Sequence, residues 1–149
     1  MKTLRSERQN IALRLAELSQ DDKARWGSMS VHQMVCHLDD SYKVPLGQKT
    51  VSPATSFLQR TVMKWAALKV PIKWPRGVAT RPEVEAGKGG TVPVDFRQDL
   101  ASLLSTLKQF CEGLPEPCLR HPIFGRMTAE DWMRWGYLHA DHHLRQFGR

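Results

Sequence analysis

Tyr137–Arg149 reads YLHADHHLRQFGR and holds three of the chain's six histidines. His139 and His143 are four residues apart. On an α-helix such a pair stacks on one face, roughly 6 Å apart at Cβ. Upstream, Trp132 and Trp135 continue the same 3–4 spacing, and Gln146 follows it downstream. Large apolar residues at the start turn this face toward the interior, so the histidines prolong a buried stripe. Two imidazoles in an apolar interior need partners and resist protonation. A divalent metal ion would satisfy both.

The helix carrying this face is predicted from Thr128 to about Phe147. Thr128 serves as its cap, Glu130 and Asp131 fill the first turn, and Gly148 follows as the stop. Ahead of it, Phe96 to Glu112 is patterned as a core helix. Asp95 caps it, Phe96, Leu100, Leu103, Leu104, Leu107 and Phe110 form one stripe, and Gly113 ends it. A first helix is predicted over about Thr3–Ser19, with Leu4, Ile11, Leu15 and Leu18 facing inward. A second opens at Ser30, where Gln33 completes a capping box, and ends near Pro45 and Gly47. An extra helical stretch is predicted over about Pro53–Lys69, capped by Ser52, with Leu58, Val62, Trp65 and Ala66 inward. Val70 to Val94 then reads as a long loop, because its prolines and glycines break regular structure. The expected fold is a single all-α domain over residues 1–149. It is a four-helix bundle with the extra stretch and the loop between its second and third main helices.

Composition narrows the function classes. The chain has 149 residues, 41% hydrophobic and 25% charged, with a net charge of +7. No apolar run is long enough to span a membrane, and the start lacks the pattern of a signal peptide. Cys36, Cys111 and Cys118 show no paired spacing, so reduced thiols in a cytoplasmic protein are expected. The basic residues are scattered and match no nucleic-acid motif, so a solvated basic surface is expected. An exposed bundle face leaves room for a homodimer.

His37 is the third candidate ligand, since it lies at the edge of the second helix's apolar face. Three imidazoles leave a coordination position open. His32, near the helix start, is expected to be exposed, and His121 falls in a loop before Pro122. His142 is rotated about 100° from His143 and is expected at the surface or beside the ligands. Asp40, three residues after His37, is a candidate to orient a ligand. Position 140 is alanine, so no HExxH peptidase motif is present.

Four segments carry a family resemblance: WGSMSVHQMVCHL (26–38), KWPRGVATRPEV (73–84), HPIFGRMT (121–128) and HHLRQFG (142–148). Together they resemble the DinB/YfiT-like superfamily of metalloenzymes, in a bacterial branch of unknown function. The resemblance implies a four-helix bundle in which three histidines hold a divalent ion, usually nickel or zinc. By position these are His37, His139 and His143. It also implies one activity found among relatives, thiol-dependent S-transfer with low-molecular-weight thiols. The basic residues of the 70–94 loop would suit a small anionic substrate, and metal-dependent hydrolysis is a second expected chemistry. Two alternatives stand beside these: a non-catalytic metal-binding protein of stress or regulation, and a metal-free basic interaction module.

Overall fold

A computed structural model describes all 149 residues. It is all-helical, with α1 (Arg8–Ala16), α2 (Val31–Lys43), α3 (Lys64–Lys69), α4 (Phe96–Glu112) and α5 (Ala129–Gln146). There are no strands, only two isolated bridges, Ala86 with Gly90 and His121 with Gly125. No helix is long and apolar enough to cross a membrane.

The capping chemistry sets where the helices begin. Ser30 accepts from the Gln33 N–H at 3.1 Å, and the Gln33 side chain accepts from the Ser30 N–H at 2.8 Å. Thr128 and Asp131 form the equivalent reciprocal pair at α5. Asp95 accepts from the Gln98 N–H at 2.9 Å to open α4.

The core lies between α1, α2, α4 and α5. The α2–α4 interface is the most extensive, α1 packs on α4 and α5, and α5 also meets α2. Leu103, Leu107 and Phe110 of α4 are fully or almost fully buried in one core cluster with Met34, Leu38 and Tyr42 of α2 and Trp132 of α5, and the Tyr42 and Phe110 rings pack edge-on at 5.3 Å. Truncating one such leucine to alanine costs about 2–5 kcal/mol. Gly136 lets α5 approach closely, because a Cβ there would meet Leu4 at 3.0 Å and Phe110 at 3.1 Å.

Two expectations need correction. The first helix is shorter than Thr3–Ser19. Leu4 is buried in a turn whose N–H donates to the Met133 carbonyl, so its contact is tertiary and not helical. The extra stretch begins later than Pro53: Ser56 and Gln59 cap it reciprocally, while Ser52 hydrogen bonds to Glu83. After helical residues 57–58 it passes through a π-helical segment, Gln59–Met63, whose wider turn shifts the register of the side chains that follow. Leu58, Val62 and Trp65 are exposed, and only Leu68 of α3 is buried. This element is held on α5 by Lys64, whose ammonium lies 2.9 Å from Asp131.

The long loop contains no helix beyond one 3-10 turn, Pro82–Val84, which packs on α2. Asp40, 1% exposed, fixes the loop's far end. Its carboxylate accepts from the Thr91 N–H at 2.6 Å and the Thr91 hydroxyl at 2.9 Å, and it pairs with Lys49 at 3.0 Å. Gly90 is needed here, since a Cβ would sit 2.9 Å from Asp40 Oδ2.

Candidate metal centre

The α2 and α5 faces meet at three histidines. His37 is 5% exposed, His139 and His143 9% each. One ring nitrogen from each lies within 4.8 Å of the other two. The ring centroids are 4.9–5.0 Å apart in all three pairs.

Hydrogen bonds orient two of the rings. His37 Nδ1 lies 2.8 Å from the Val84 carbonyl. A carbonyl only accepts, so Nδ1 carries the proton and Nε2 presents a lone pair. That Nε2 lies 3.0 Å from His139 Nε2. The Gln146 amide donates through Nε2 to the Trp26 carbonyl at 2.8 Å, so its Oε1 faces His143 Nδ1 at 2.9 Å. His143 therefore donates from Nδ1 and leaves Nε2 free. Ligating histidines commonly have such a partner on the nitrogen away from the metal. Gly27 makes the Gln146 contact possible: its φ is +77°, and a Cβ would meet the Gln146 amide nitrogen at 2.9 Å.

Electrostatics keep the cluster neutral. Burial holds the His37 imidazole below its ordinary pKa, partly offset by Val84. Burial, and then mutual repulsion with the neighbouring rings, holds His139 and His143 well below it. His139 Nδ1 is buried with no hydrogen-bond partner. The three rings thus offer neutral imidazole nitrogens, the form that binds divalent metals.

The remaining predicted residues fall around this group. His142 is half-buried, with its ring 5.2 Å from that of His143 and edge-on to Trp26 at 5.9 Å. Asp40 makes the loop contacts described above and has no hydrogen bond to a histidine. Asp141 pairs with Arg14 and Arg145. His32 is not exposed as expected: it is half-buried, with Nε2 2.6 Å from Asp99, because α4 packs over the start of α2. No fourth side chain joins the three histidines.

A cavity of about 440 Å³ opens from His37, His139 and His143, walled by Trp74, Trp135, Phe124 and Ile72. His121 also lines it, a placement that the loop position hides in the sequence. Its Nδ1 accepts from the Ile123 and Phe124 N–H groups, both at 3.1 Å, so its proton sits on Nε2. Burial pushes its pKa down to about 3. His121 is therefore a neutral donor beside Trp132 and Trp135. Above the rings, Trp74 lies 6.1 Å from His139, and its indole donates to the Ala67 carbonyl at 2.9 Å.

Fold and site together define an all-helical protein whose buried histidine trio could hold a metal ion. The chain belongs to the DUF1569 family, described as a protein of unknown function, whose model matches residues 3–149. No curated protein and no solved structure matches the chain.

Proposed function

We propose that the protein is a divalent-metal enzyme of the DinB/YfiT-like kind, a four-helix bundle whose His37, His139 and His143 hold zinc or nickel. The observation that carries this reading is the approach of His37 Nε2 to His139 Nε2 at 3.0 Å, with His37's other nitrogen committed to Val84. If His139 also presents a lone pair there, the two repel unless a cation lies between them. If it presents a proton, its Nδ1 remains bare and buried. The neutral, preoriented donor set fits zinc or nickel.

When bound, such an ion supplies Lewis acidity, lowering the pKa of a water or thiol at its open position. The protein's own groups do the rest. Val84 and Gln146 hold two ligand rings in place. Trp74, Trp135 and Phe124 give the cavity apolar walls suited to a carbon-rich substrate. His121 offers a fixed N–H to an acceptor atom. The absence of a fourth side-chain ligand favours an open, reactive centre over a closed structural one. The substrate class is a small thiol, or another small anion, with an apolar acceptor, and the reaction is S-transfer or hydrolysis.

The test is to incubate zinc- and nickel-loaded protein with a panel of low-molecular-weight thiols and electrophilic acceptors, and with ester and amide substrates. Metal-dependent adduct formation or hydrolysis is expected. Bound metal with no turnover across the panels would contradict the enzyme reading.

A further inference from the structure

Cys36 and His37 are consecutive on α2, so their side chains leave the helix about 100° apart. His37 meets α5, while Cys36 Sγ comes within 4.8 Å of the carboxylate of Asp99 in the first turn of α4. His32 lies one turn before Cys36, and residues four apart on a helix share a face. His32 Nε2 lies 2.6 Å from Asp99 Oδ2, and the Cys36 sulfur approaches both side chains. One ligand atom from each of the three lies within 4.8 Å of the other two. Cys36 is 1% exposed, but the His32 and Asp99 side chains keep 14% and 22% of their exposure. The cluster thus has a dry floor and a wet rim, through which an ion can enter and keep a water.

We propose that His32, Cys36 and Asp99 form a second cation site, separate from the tris-histidine group, that takes zinc or cobalt(II) and clamps α2 to α4. The donor set gives the selectivity. Thiolate and imidazole suit borderline-soft ions, whereas magnesium and calcium require oxygen ligands. Charge favours it as well: one thiolate and one carboxylate neutralise a divalent ion. On binding, the thiol proton leaves to solvent, and the imidazole proton now facing Asp99 moves to the ring's other nitrogen by solvent exchange. Phe96 packs edge-on to His32 at 5.5 Å and shields one side of the site.

The test is a cobalt(II) titration of chelator-treated, untagged full-length protein, read by the near-ultraviolet thiolate-to-cobalt charge-transfer band. A site of imidazoles alone cannot give this band, so the two sites are read separately. The band should saturate at one ion per chain and persist in the His139→Ala/His143→Ala double variant. It should vanish in Cys36→Ser and survive in Cys111→Ser and Cys118→Ser. Asp99→Asn, which keeps the side chain's shape, should weaken this cobalt binding about tenfold or more. No band in the wild type, or a band that survives Cys36→Ser, would overturn the proposal. If Cys36→Ser does not fold, unchanged cobalt affinity in Asp99→Asn overturns it instead.

Discussion

His37 and Val84 are 47 residues apart in sequence, yet the imidazole Nδ1 of one lies 2.8 Å from the carbonyl oxygen of the other. That contact makes the long loop part of the histidine cluster. The 3-10 turn Pro82–Val84 aims the carbonyl, and the carbonyl decides which nitrogen of His37 faces α5.

The same logic at the other end of the site singles out Gln146, which joins His143 to the Trp26 carbonyl. Gln146→Ala removes no ligand but frees the His143 ring. Zinc affinity should fall about 10–100-fold, as for other residues that brace a ligand. Competition against a chromophoric chelator measures it. Unchanged affinity would show that Gln146 does not orient the ring.

Asp40 should behave differently. It braces the loop through Thr91 and Lys49. Asp40→Ala strands the Thr91 N–H and one ammonium, and should lower stability by about 2–4 kcal/mol. Urea denaturation gives the figure. Limited proteolysis should then cut between residues 84 and 94 before anywhere else. Preserved stability and an uncut loop would refute this role.

The orientation of α3 is tested by two neighbours. Trp65 is 63% exposed and Leu68 1%. Trp65→Ser should change stability by no more than about 0.5 kcal/mol, whereas Leu68→Ala should cost about 2–5 kcal/mol. Equal effects would mean that Trp65 packs inward after all.

His121 sets a pH dependence. Its folded pKa, about 3, lies below the ordinary value of 6.5. Between those values the unfolded chain binds the proton and the folded chain does not. Stability therefore rises with pH through that window and is lost as pH falls below about 6.5, by up to about 1.4 kcal/mol per pH unit for each such histidine. Metal-free protein should melt at lower temperature from pH 6.5 downward, and His121→Gln should flatten the slope. An unchanged slope in that variant would contradict the assignment.

Much of this was readable from side chains alone. Ser30–Gln33, Thr128 and Asp95 mark helix starts through local chemistry that needs no tertiary context. The stripe from Trp132 to Gln146 gave the inward face of α5, and with it His139 and His143. Val84 was not legible, because its part is played by a backbone carbonyl common to every residue. The His32–Asp99 contact was hidden for another reason: it depends on how α4 lies over the capped end of α2. The extra stretch misled because it lies on the outside of the molecule, leaving Leu58, Val62 and Trp65 exposed and burying only Leu68, and because its π segment shifts the register of the residues after it, which 3.6-residue periodicity does not encode.

The central claim is that His37, His139 and His143 share one ion, and elemental analysis of untagged protein beside its His143→Ala variant tests it most directly. The difference between the two is the readout, so metal held elsewhere cancels. The variant should carry one fewer zinc or nickel ion per chain while keeping its helical circular dichroism. Equal metal content in the two folded proteins would contradict the shared site.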